Sequence, residues 1–172
     1  MRKMSIGLVL AAVSTAAAAQ STGWQFYQPD GGTVQAFVVT NSGEQLIFKC
    51  EKPGKHSVFA VIVNNTSIAA PVADDRYESR PVTLRVDDGA PWDDNWRFNG
   101  KFAMAVDKGN TRSLTRLVEK LIGGDMFEAR LKPLRQAPVV VDFGVTGAQD
   151  ALAQVFDSCN DTMPVPEAAA AG

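Results

Sequence analysis

From Glu44 to Cys50 apolar and polar residues alternate, with Leu46, Phe48 and Cys50 on one side and Gln45 and Lys49 on the other. A period of two marks a strand with one buried face, and here that face carries a cysteine inward. Similar runs flank it. Trp24 to Pro29 reads as an edge strand closed by the turn Pro29-Asp30-Gly31-Gly32. Thr33 to Asn41 is rich in β-branched and aromatic residues and ends at Asn41-Ser42-Gly43. After the break Glu51-Lys52-Pro53-Gly54-Lys55 comes the apolar strand Ser57–Asn64. Strands joined by short turns predict an antiparallel meander. Asn65 to Tyr77 is irregular and reads as a loop. Pro81–Asp87 is a strand with Val82, Leu84 and Val86 on one face, and Trp96 and Phe98 lead into Asn99-Gly100. That dipeptide is a strong hairpin signal, and Lys101–Val106 is its second strand.

The period then changes. Leu114, Leu117, Val118, Leu121 and Ile122 fall on one face of a helix, with Asn110 or Thr111 as its cap and Gly123-Gly124 as its stop. Met126–Lys132 and Pro138–Phe143 return to strand. A second helix, Gly147 to Cys159, is capped by Thr146 and aligns Ala148, Leu152, Val155, Phe156 and Cys159. The apolar face of this helix ends in one cysteine and the inward face of a strand ends in the other. If the helix packs on the sheet, Cys50 and Cys159 meet in the same layer. The fold class is α+β, mostly β: an antiparallel β-sandwich or a curved sheet with two covering α-helices. A single domain, 20–160, precedes a tail, 161–172, that has nothing to bury and is expected to be disordered.

The first residues change the picture of where the domain works. Met1-Arg2-Lys3, an apolar stretch from Ile6 to Val13, and the small residues Ser14 to Ala19 form the pattern of a secretory signal peptide, 1–19, cleaved after Ala19. Its apolar part is well short of the ~20 residues that span a bilayer. No cysteine follows the cleavage point to carry a lipid anchor, and no later run is long enough for membrane insertion. The expected location is periplasmic or secreted. There two cysteines most simply form one disulfide, Cys50–Cys159, closing a loop worth roughly 4–5 kcal/mol in the chain-entropy model. Cys-x-x-Cys is absent and a lone histidine offers few partners, which argues against a metal or redox pair. Acids outnumber bases 19 to 17, the net charge is −2 and the pI is near 5.4, so a strongly basic nucleic-acid binder is excluded.

Candidate chemistry is sparse. His56 sits on a polar turn, and Gly-x-Ser-x-Gly is missing, so no catalytic residue is assigned. Acidic pairs occur at Asp74-Asp75, Asp87-Asp88 and Asp93-Asp94. The stretch from Asp87 to Asn95 concentrates Asp87, Asp88, Asp93, Asp94 and an amide in one segment, a supply of oxygen ligands for calcium. It lacks EF-hand spacing, and the competing reading is a solvated turn. No other metal and no cofactor is expected. Trp92 and Trp96 share this segment, either as anchors for a partner or as part of the core.

With these residues in view, the chain resembles exported proteobacterial envelope proteins of the VasI family, which is associated with type VI secretion. The resemblance rests on the signal peptide, Trp24, Cys50, Arg85-Val86-Asp87, the helix Leu117-x-x-x-Leu121-Ile122-Gly123, and the C-terminal Phe143, Gly147, Ala151-Leu152, Val155 and Cys159. It implies a non-catalytic accessory protein of the cell envelope whose partner is an envelope or secretion-system protein. Two alternatives stay open: a hydrolase or calcium-dependent protein using Asp87–Asn95, and a periplasmic enzyme inhibitor.

Overall fold

Strand alternation builds the core. In the computed structural model, which describes residues 23–51, 57–73 and 77–165, nine strands form one antiparallel sheet. The expected signal segment 1–19, His56, the Asp74-Asp75 pair and residues 166–172 lie outside the described residues. The strands are β1 (Gln25–Tyr27), β2 (Val34–Val39), β3 (Gln45–Cys50), β4 (Phe59–Val63), β5 (Glu78–Val86), β6 (Trp92–Asn99) and β7 (Phe102–Ala105). A two-stranded hairpin, β8 (Asp107–Lys108) and β9 (Thr111–Arg112), leads into helix α1 (Ser113–Leu121). Then come β10 (Met126–Leu131), β11 (Val139–Gly144) and helix α2 (Ala148–Ser158).

The order across the sheet is β1-β2-β3-β4-β7-β6-β5-β10-β11. The first four strands make the expected meander, and β5 to β7 make a second one that docks in reverse, with β7 beside β4. The sheet is open but strongly curved. Segments at its opposite ends approach each other: Trp24 Nε1 donates to the Val145 carbonyl at 3.3 Å, and β11 lies near β2. This is the curved-sheet form, not the two-sheet sandwich.

One face of every long strand is sealed. Ala36, Phe48, Ile62, Leu84, Trp96 and Phe127 are among the side chains that reach zero exposure in a single core. Both helices close it, α1 through Leu117, Val118 and Leu121, and α2 through Leu152, Val155 and Phe156. Burying one such aliphatic or aromatic side chain contributes about 1.5–3 kcal/mol. Cys50 and Cys159 are bonded to each other, with Cα atoms 6.1 Å apart, and both are buried. The helix that ends in one cysteine is thus tied to the strand that ends in the other.

Local details depart from the sequence reading. The amides at the start of α1 are capped from outside the helix, and neither Asn110 nor Thr111 does it. The Asp107 carboxylate accepts from the backbone N–H groups of Leu114 (2.8 Å) and Thr115 (3.2 Å), because the β8–β9 hairpin pairs Asp107 with Arg112 and folds it back onto the helix. Helix α2 starts at Gly147, whose φ of +80° is left-handed. Thr146 does not cap it, because its hydroxyl donates to Asp125 instead. Asp161 accepts the backbone N–H groups of Ser57 and Val58, and Met163 packs on the core. Asp161 and Met163 thus contact the body of the domain.

Candidate functional site

The segment with the most chemistry in the sequence is half turn and half strand. Asp87 sits in the turn with φ +49°, a left-handed conformation that aspartate tolerates better than most residues. Its carboxylate accepts the backbone N–H groups of Asp125 (3.1 Å) and Met126 (2.8 Å), which pins the turn to the start of β10. Asp88 is exposed on the same turn. From Trp92 onward the chain is β6, and the pleat separates neighbours. Trp92, Asp94, Trp96 and Phe98 share the inward side; Asp93, Asn95 and Arg97 take the other. Asp93 accepts from the Thr83 hydroxyl at 2.6 Å and lies 3.8 Å from Lys132 Nζ. Asp94 turns to the start of α1, where its Oδ1 accepts from the Ser113 hydroxyl at 3.0 Å.

Asp87, Asp88, Asp93 and Asp94 therefore do not converge on one centre. A calcium ion needs roughly 6–8 oxygens about one centre. Among the described residues no group of three or more His, Cys, Asp or Glu side chains is placed to hold a metal. Alternation is the cause, since two aspartates adjacent on a strand must face opposite ways. The structure places the candidate pair Trp92 and Trp96 on the inward side of β6. Both stand on a strand, and Trp96 is completely buried, so it presents no surface to a partner. Trp92 is half-buried and packs against the core.

The sheet's other face carries what the sequence reading missed. Phe37, Ile47, Val61 and Met104 lie in one cross-strand row over β2, β3, β4 and β7. Val39, Gln45, Val63 and Phe102 form the next row. Both helices pack on the opposite face, so among the described residues no helix covers this surface. Val39 is 38% and Phe102 45% exposed. Val61 is nearly sealed yet lies outside the core cluster. At the rim Lys49 Nζ stands 5.3 Å from the Phe59 ring centroid, a cation–π contact. The signal in the sequence was that β4 and β7 are apolar at both alternating positions, while β2 and β3 add Phe37, Val39 and Ile47 on the outer one. A one-sided strand needs only one.

Two clefts remain. In the first, β7 pairs with β6 only through Arg97↔Met104, Phe98↔Ala103 and Asn99↔Phe102, then leaves it. The first half of β6 keeps β5 on one side and faces an opening of about 380 Å³ on the other, lined among others by Tyr77, Ser79, Asp94, Arg97 and Lys108. The second, about 370 Å³, lies between the start of β4, the start of α1 and the end of α2. Its two carboxylates, Asp107 and Asp161, are both engaged by backbone amides.

Among the described residues no helix is long and apolar enough to cross a membrane. Compared with known proteins, the chain matches no family model, no curated protein and no solved structure.

Proposed function

We propose that the protein is an exported accessory protein of the bacterial cell envelope that acts by protein–protein contact. The outer face of its sheet is the contact surface. The observation that carries this reading is the largely apolar outer face around Ile47, Val63 and Phe102, where Val39 is 38% and Phe102 45% exposed. Contiguous apolar surface of this kind is costly in water unless a partner covers it. Two features support the compartment. The Cys50–Cys159 disulfide fits an oxidising environment, and the first nineteen residues carry a secretory signal pattern. The resemblance to the VasI family suggests the class of partner, another envelope or secretion-system protein.

The test is crosslinking in cells that export the full chain, comparing wild type with Val39→Asp and Phe102→Asp. Both positions are exposed, so each variant should keep its melting temperature within a few degrees. Loss of the same crosslinked envelope species in both variants is the expected result. Retention of every crosslinked species at wild-type yield would reject this face as the contact surface.

A further inference from the structure

Strand β6 has an open edge inside the sheet. The turn Gly100-Lys101 joins it to β7, and Asn99↔Phe102 is the pair that closes the turn. The residues flanking such a turn are hydrogen-bonded to each other, and bonded and non-bonded pairs then alternate along an antiparallel ladder. Asn99, Arg97, Asn95 and Asp93 therefore turn their main-chain groups away from β5. Pro81 agrees with that parity, since it stands opposite Asn95 and has no N–H to give to β6. The ladder to β7 stops at Arg97↔Met104. Continued in register it would set Val106 opposite Asn95, but these two residues instead line the opening of about 380 Å³.

Among the described residues no other strand takes the place of β7 there. Asn95 N–H donates to the Asp94 carboxylate at 2.7 Å, and the Asn95 carbonyl has no backbone partner. Sheets commonly set an inward charge on a free edge to discourage indiscriminate pairing. Asp94 is itself matched on the inner side, by the Ser113 hydroxyl at 3.0 Å and Arg116 Nη1 at 3.9 Å. The charges left over are positive. Arg97 on β6 and Lys108 on β8 stand on the two walls of the opening, and neither forms an ion pair among the described residues. Ser79, Arg97 and Met104 share one cross-strand row on the outer side of the sheet, the row that continues through Val61. The opening thus adjoins the apolar outer face.

We propose that this opening takes an extended acidic segment of a partner protein, which adds to the free edge of β6 as a strand. Its main chain pairs with Asn95, and its carboxylates meet Arg97 and Lys108. Strand addition draws affinity from main-chain hydrogen bonds and selectivity from alternate side chains. Acidic residues at every second position place all their carboxylates on the outer side, and small residues between them face Asp94. The inference rests on the reading of the protein as one that works by protein contact, and it uses a different surface from Val39 and Phe102.

The probe is the peptide acetyl-Thr-Glu-Thr-Glu-Thr-amide, charged only at its two glutamates. It is titrated calorimetrically into the full chain as exported, with its disulfide intact. Saturable binding is expected, weakened about tenfold or more when both glutamates become glutamines. In an extended peptide the N–H groups of the glutamates and of the threonines point to opposite edges. N-methylation of one set should abolish binding while methylation of the other leaves most of it, a distinction that attraction between charges alone does not make. Lys108→Gln, on the exposed hairpin, should bring the glutamate peptide toward the affinity of the glutamine one. Val39→Asp and Phe102→Asp should bind the peptide as wild type does, so failure of the outer-face contact and failure of this site are read separately. No saturable binding up to about 10 mM, equal affinity for the glutamate and glutamine peptides, or equal affinity for the two methylated forms would overturn the assignment.

Discussion

Glu44 stands at the entrance to β3, where three donors converge on its carboxylate. Oε2 accepts from the Thr40 hydroxyl at 2.6 Å and the Ser42 hydroxyl at 2.7 Å, and Oε1 from Asn65 Nδ2 at 2.7 Å. The bonds from Ser42 and Thr40 lower its pKa, against a smaller opposing effect of partial desolvation. A carboxyl whose pKa falls on folding contributes stability that is complete above its unfolded value, roughly 4.3. The contribution fades as the pH drops through the lowered value. The urea midpoint should therefore fall between pH 6 and pH 3 by less in Glu44→Gln than in wild type. Superimposable acid profiles for the two proteins would remove Glu44 from the account. At this scale the sequence shows the turn through Asn41-Ser42-Gly43, whereas Asn65 reaches it only because β3 and β4 pair. The inward sense of Leu46, Phe48 and Cys50 was legible for a different reason: alternation is local, and all three are buried.

Among the elements, α1 separates what spacing reveals from what it conceals. Its apolar face was readable, since Leu114, Leu117, Val118 and Leu121 recur at helical intervals and are buried. Its cap was not, because Asp107 precedes the helix by a whole hairpin and returns only when β8 and β9 pair. Asp107→Ala should cost about 1–2 kcal/mol in urea denaturation, the ordinary worth of an N-cap, while Asn110→Ala should stay within about 0.5 kcal/mol. Equal losses in the two variants would return the cap to the hairpin tip. Strand β6 teaches the converse lesson. Its sequence, dense in aspartate and bounded by a turn, looks like a loop by composition. Its inward Trp92, Trp96 and Phe98 nonetheless keep a period of two, and pairing with β5 makes it a strand. Turn-forming residues are a weak preference, and burial of two tryptophans and a phenylalanine outweighs it.

For the whole molecule, the disulfide joins residues 109 positions apart and ties α2 to the sheet. Closing a loop of that length in the unfolded chain corresponds to about 4–5 kcal/mol in the entropy model. The double variant Cys50→Ala with Cys159→Ala should lose stability of that order, read as a lowered urea midpoint. Because both sulfurs are buried, dithiothreitol should leave the native wild-type protein oxidised and reduce it in denaturing urea. Rapid reduction in native buffer would mean that the end of α2 opens readily. The curvature that brings Trp24 to Val145 belongs to this scale too, since it depends on the accumulated twist of the strands and not on any one of them.

From its amino-acid order alone this protein declares most of its strands, its two helices, the inward face of several of them and the meeting of its two cysteines. Those properties depend on periods of two and 3.6 residues, which are local and repeat often enough to be read. The tertiary structure decided which strands are neighbours, above all that β7 inserts beside β4 and then parts from β6. It also decided that four aspartates close in sequence face different surroundings and that the outer face over β4 and β7 is apolar. The physical reason is that such juxtapositions arise from pairing between distant segments, for which the chain carries no local period.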